Sequence, residues 1–191
     1  MSVDNNQSIN PPKAEAGDFL GRFREIVADP LNVFIERVPL AGHLLSDGTV
    51  VLHNGNRVPS AGDKAYYGTF SYILIINRGV HEPLEEYVFQ EVMKIMPEQP
   101  TMLEMGAYWA HYSMWMKKLR PQANVHMVEP NEQNIEIGRN NFALNQYTGE
   151  FVQAFVGLGH FEVDRYLQEK GIRKLDILHS DIQSFELLRF P

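Results

Sequence analysis

From Thr101 onward the chain alternates between short apolar runs and stretches with helical spacing, and few architectures accept that pattern. TMLEM (101–105) reads as a short buried strand, and VHMVE (125–129), FVQAFV (151–156) and LDILHSD (175–181) read as three further strands. Between the first two, Tyr112, Trp115, Met116 and Leu119 fall on one helical face. Pro130-Asn131 opens a second helix, with Asn131 as its N-cap. A third runs from Phe161 to Lys170, with Gly171 at the C′ position. Strands alternating with helices predict βαβ units, hence an α/β fold with a parallel sheet and right-handed crossovers.

The first half reads differently. Pro83 suits the first position of a helix, where its missing N–H costs nothing. Leu84, Tyr87, Val88, Val92, Ile95 and Met96 form an apolar stripe expected to face the core, with Glu85, Glu86, Gln90 and Glu91 facing away. Pro97 and Pro100 end that helix. Residues 40–78 read as a small antiparallel element. Asp47-Gly48 and Asn54-Gly55 bracket a β-branched run, and Tyr66 to Ile76 is a further run rich in aromatic and β-branched residues. Phe19, Leu20, Phe23, Ile26 and Val27 predict a short amphipathic helix stopped near Asp29-Pro30. The polar start predicts a flexible tail over 1–16, an extension over 17–80, and an α/β domain over 81–191.

Composition excludes several classes. With 17 Lys and Arg against 24 Asp and Glu, the formal charge is -7, which weighs against a nucleic-acid partner. No apolar run approaches the roughly 18 residues of a membrane span, and no membrane partner is expected. The first residues lack the basic and apolar regions of a secretory signal, so the cytoplasm is the default compartment. The absence of cysteine removes disulfides, thiolate nucleophiles and zinc–thiolate sites.

In open α/β sheets ligands bind beyond the carboxyl ends of the strands. The residues there are Glu104, Gly106, Ala107, Tyr108, Trp109 and His111 after the first strand, Glu129 after the second, and Asp181 after the fourth. Gly106 allows a sharp turn and a close backbone approach. Glu129, 23 residues further on, can accept two hydrogen bonds from ribose hydroxyls. A dinucleotide would want G-x-G-x-x-G for its pyrophosphate; the chain reads G-A-Y-W-A-H. S-adenosylmethionine (SAM) has no phosphate, carries a sulfonium, and suits a carboxylate such as Glu104.

Each candidate has a plainer role beside it. Glu104 can cap a helix, Glu129 can be a loop acid, and Asp181 can be an N-cap. His111 and His179 flank the expected pocket as candidate general bases, or simply bond nearby backbone. His179-x-Asp181 lacks a third ligand, so no metal site is expected. Tyr108 and Trp109 lie where they can stack on adenine or cover a sulfonium. Tyr112, Trp115 and the methionines read as core.

LEMGAYWAHYSMW, VEPNEQNIEIGRNNFALN and LDILHSDIQSFELL, with the Glu82-Pro83 lead-in, resemble in order and spacing the motifs of FkbM-type methyltransferases over about residues 80–190. The resemblance implies a class I, Rossmann-like fold with SAM as donor and a small-molecule or sugar-type hydroxyl as methyl acceptor. It implies that Glu104 and Gly106 line the methionine part of SAM, that Glu129 binds the ribose, that Asn134 fixes the loop, and that Asp181 lies near the methyl-transfer centre. Two positions depart from the pattern: Ala110 and Ser184 stand where the family has glycine, which an L residue tolerates at negative φ. Class I enzymes carry three more strands than the four read here. The expectation is therefore a sheet lacking its last strands, with an exposed edge that favours a homo-oligomer. The rival readings are a non-catalytic domain that binds SAM or a protein partner, and a nucleotide-dependent oxidoreductase.

Overall fold

The computed structural model describes residues 16–157 and 160–182. The tail expected over 1–16 lies outside them except for Ala16, and Ser184 lies outside them too. Helix α1 (Ala16–Ala28) ends where Asp29 accepts a hydrogen bond from Leu31 N at 2.8 Å and starts a 3-10 turn at Pro30. Strands β1 (Thr49–Val51) and β2 (Arg57–Pro59) form the expected hairpin. Gly48 and Gly55, at φ +80° and +87°, make its turns. The run from Tyr66 to Ile76 is not a strand as expected. It is a 3-10 turn (Gly68–Ser71) followed by helix α2 (Tyr72–Ile76). Its apolar residues Phe70, Ile73 and Leu74 are buried while Tyr72 and Ile76 are exposed, a helical spacing that β-propensity alone obscures.

Helix α3 (Pro83–Met93) begins at Pro83 as expected, but its buried face is the opposite one. Glu86, Phe89, Gln90 and Met93 face the core, while Leu84, Val88 and Ile95 are 59%, 51% and 79% exposed. Polar bonds turn it over. Glu86 accepts from the backbone N–H of His81 at 2.9 Å, and Gln90 bonds Glu36 N and Phe34 O at 2.7 and 3.1 Å. These satisfy chain that would otherwise be buried unpaired.

Strand β3 (Thr101–Met105), helix α4 (His111–Leu119), β4 (Asn124–Glu129), α5 (Glu132–Leu144), β5 (Glu150–Gln153), α6 (Val163–Glu169) and β6 (Ile177–Ser180) realise the predicted alternation. Asn131 caps α5, accepting from Gln133 N and Asn134 N at 2.8 and 3.1 Å. All four strands are parallel, in the order β5-β4-β3-β6. The fold is thus α/β with an open parallel sheet of Rossmann-like order. Alternate side chains of β3 serve its two faces. Leu103 and Met105 pack with Phe161 and Tyr166. Met102 packs in the larger core with Met114, Trp115 and Phe142. Helix α4 is buried from His111 to Lys117, because the extension covers the side that would otherwise meet water. Val50, Leu52, Val58 and Leu74 of the extension belong to that same core.

Asn145 locks the hairpin down. Its side chain accepts from Arg57 N at 2.8 Å and donates to Arg57 O at 2.7 Å, standing in for a strand partner along β2. Asn145→Ala leaves both groups unpaired and is expected to cost about 1–3 kcal/mol. Urea unfolding should show a lower midpoint with an unchanged slope.

Candidate functional site

The chain runs β3, β4, β5 in one direction and then returns to place β6 on the other side of β3. The crevice between β3 and β6 is therefore the switch point, where ligands bind in such sheets. Gly106 opens the turn there at φ +74°. A Cβ on it would stand 2.7 Å from the Asp181 carbonyl carbon and closer still to its oxygen. The loops after β3 and β6 thus touch through a position that only glycine can hold. Asp181 N donates to Met105 O at 3.0 Å and ties the two loops again.

Glu129 organises the mouth. Its Oε2 accepts from Tyr108 N at 3.1 Å, and its Oε1 from Asn131 N and Asn134 Nδ2 at 3.0 and 3.2 Å. It is 6% exposed. A carboxylate offers about four lone-pair sites, so it holds the glycine turn and the start of α5 together with capacity left for a hydroxyl.

Glu104 is buried and takes up the capping role. Its Oε2 accepts from Ser113 N at 3.0 Å, and burial raises its pKa. Ala110 precedes α4 with no side-chain cap of its own, so Glu104 satisfies that helix end. Negative φ was expected at Ala110; the structure has +61°, and Tyr108 has +44°. Two L residues in the left-handed region within one turn cost about 1–2 kcal/mol each, strain that clusters at ligand sites.

Tyr108 and Trp109, adjacent in sequence, part company. Trp109 is 4% exposed and stacks on His111, with ring centroids 5.0 Å apart and planes 20° apart. Tyr108 is half-buried at the surface. Its hydroxyl accepts from Tyr67 N at 2.9 Å, and the Tyr67 ring lies 4.7 Å away. Tyr67 is itself left-handed, at φ +44°. Its hydroxyl pKa is pushed up to about 12 by burial and then by Tyr108, Asp181 and Glu82. Tyr67 therefore belongs beside Tyr108 at the crevice, and the sequence reading missed it. Tyr67 was hidden because the run from 66 read as a strand.

His179 lies opposite Glu104 in the β3–β6 register, 4.3 Å from the Tyr112 ring, with Nε2 3.9 Å from Glu85. Burial works to lower its pKa, but Glu85, Glu104 and Asp181 outweigh it and raise it. His111 is elsewhere. It is 1% exposed and sits in a buried group with His53, His81 and Glu86. Burial holds the His53 and His111 pKa values low, whereas Glu82 and Glu86 outweigh burial at His81 and raise it to about 10. Of the candidates, the structure gathers Gly106, Ala107, Tyr108, Glu129, Asn134 and Asp181 at the crevice. Glu104 and His179 lie behind it on the α4 side, and Trp109 and His111 lie in the core. A separate surface cavity of about 590 Å³, lined by Asp47, Ser60, Lys64, Asn140 and Leu144 among others, lies between the hairpin and α5.

Fold and strand order define an open parallel α/β domain whose switch point lies between β3 and β6. No family model matches the chain, and no curated protein matches it. Solved structures resemble it in part. One is precorrin-6y C5,15-methyltransferase from Geobacter metallireducens GS-15, 23% identical over 38% of each chain, with a TM-score of 0.34. Another is TrmK from M. capricolum in complex with S-adenosyl-homocysteine, 11% identical over 48% of each chain, with a TM-score of 0.33. The chain therefore spans less than half the length of either. A likeness of that extent fixes neither fold nor activity, which rest on the residues themselves. No described helix is long and apolar enough to cross a membrane.

Proposed function

We propose that this chain is a SAM-dependent methyltransferase of the FkbM type, acting on the oxygen of a small-molecule or sugar-type hydroxyl. One observation carries the reading. Glu129, at the carboxyl end of β4, is bonded to Tyr108 N of the glycine turn and to Asn134, beside a crevice that lacks the glycines a pyrophosphate needs. In this reading Glu129 takes one ribose hydroxyl, and Gly106 and Ala107 pass close to the methionine part. Tyr108 and Tyr67 present ring faces toward the sulfonium, a cation–π role. Asp181 lies at the methyl-transfer centre.

SAM, when bound there, would supply an activated methyl group to the acceptor oxygen and leave as S-adenosylhomocysteine (SAH). The hydroxyl proton passes to a base, for which Asp181, the acid placed at the crevice, is the candidate. Most of the acceleration comes from positioning. The outer edge of β6 pairs with no strand among the described residues, and the reading assigns it to a second copy or a further strand.

Incubation with methyl-labelled SAM and a panel of hydroxyl acceptors should give SAH in step with a labelled ether. Binding without turnover across the panel would leave the non-catalytic alternative. Absence of SAM binding by folded protein would sink the methyltransferase reading.

A further inference from the structure

The buried group behind Trp109 has chemistry the methyl-transfer reading does not use. His53 follows β1, Glu86 lies in α3 and His111 opens α4, so three distant segments meet. Each offers a ligand atom within 4.8 Å of the others, and each residue is at most 1% exposed. His53 Nε2, Glu86 Oε2 and both ring nitrogens of His111 have no hydrogen-bond partner among the described residues. Buried polar atoms without partners are rare and costly.

The tautomer sharpens the point. His53 Nδ1 lies 3.3 Å from the carbonyl oxygen of Glu36. A carbonyl only accepts, so Nδ1 carries the hydrogen and a neutral ring turns a bare lone pair at Nε2 toward Glu86 Oε2, 3.1 Å away. Two facing lone pairs repel unless a proton or a metal cation lies between them. Tetrahedral ligands at 2.0–2.1 Å from zinc stand about 3.3 Å apart, close to that separation. A backbone carbonyl on the far ring nitrogen is also how metal-bound imidazoles are oriented. His81 Nδ1 lies 2.5 Å from Glu86 Oε1 and Nε2 3.3 Å from Glu82, so it steadies the carboxylate from outside. Trp115, 4.3 Å from His53 edge-on, and Trp109, stacked on His111, wall the group in apolar surface.

We propose that His53, Glu86 and His111 bind a divalent first-row transition-metal ion of the zinc class. The ion ties the extension to the sheet domain and supports the glycine turn from behind through His111 and Trp109. In a chain without cysteine it does the stapling that a disulfide would do elsewhere. The proposal does not depend on the methyltransferase reading.

The test uses the whole chain, made without a polyhistidine tag. Metal analysis after gel filtration should find a single ion per chain. Chelation should lower Tm by roughly 10 °C, with stoichiometric zinc restoring it. Cobalt added to the chelated protein should give the visible absorption of a low-symmetry histidine–carboxylate site. His53→Gln and His111→Gln should each lower the metal content at least tenfold, while His43→Gln, at an exposed histidine, should not change it. If either cluster variant fails to fold, the cobalt spectrum and the chelation shift of the unaltered chain decide the matter. A chain that carries no ion, takes up neither zinc nor cobalt and melts identically with and without chelator overturns the proposal. So does full metal content in both cluster variants.

Discussion

Gly106→Ala should destabilise the chain by about 3–5 kcal/mol, among the largest effects available to a single methyl group. Two causes add. Alanine at φ +74° pays about 1–2 kcal/mol for the left-handed conformation. The new methyl also meets the Asp181 backbone, which cannot swing aside as a side chain would. Relief requires the loops after β3 and β6 to part, breaking the Asp181 N to Met105 O bond. Thermal unfolding should fall by roughly 10–15 °C. Gly171 is the control. It too is left-handed, at φ +66°, but a Cβ there meets nothing within 4 Å, so Gly171→Ala should cost only about 1–2 kcal/mol. Equal losses at both sites would show that the turn, and not the contact with Asp181, sets the cost.

Trp109→Ala should cost about 3–5 kcal/mol, the range for emptying a buried aromatic site. Its ring lies against Tyr66, His81 and His111, with centroids 4.7, 4.9 and 5.0 Å away. Removing it hollows the seam between extension and glycine turn. Trp109→Phe should recover part of the loss. An unchanged urea midpoint in Trp109→Ala would mean that the indole faces a ligand and not the core.

Trp109 also shows where sequence stops being legible. Tyr108 and Trp109 stand in one short loop, and nothing in their spacing separates the half-buried ring from the core ring. The separation comes from Tyr66 and Tyr67, which arrive from a segment about 40 residues upstream, whose β-branched and aromatic content imitates a strand. The parallel sheet itself was readable, because its short strand runs alternate with helical spacing and are set off by residues such as Asn131 and Gly171. Gly106 and Glu129 were readable for a related reason: their positions follow from where strands end. Helix α3 misled because periodicity counts Leu84 and Val88 as inward, whereas Gln90 bonds a segment far away in sequence and Glu86 folds back onto the backbone N–H of His81. The His53–Glu86–His111 group was invisible for the same reason, since its members share no local spacing. His179-x-Asp181 had the spacing and lacked the third partner.

The most direct test of the central claim is calorimetric titration of the folded chain with SAH, beside Glu129→Ala and the gentler Glu129→Gln. Saturable binding on the order of micromolar is expected. Glu129→Ala should weaken it roughly 10- to 100-fold, the worth of one hydrogen bond to a charged acceptor, and Glu129→Gln should weaken it less. Circular dichroism must show each variant folded, because Glu129 also holds Tyr108 N and Asn134. No heat with the folded unaltered chain, or equal affinity in all three proteins, would contradict the claim that the β3–β6 crevice is a SAM site organised by Glu129.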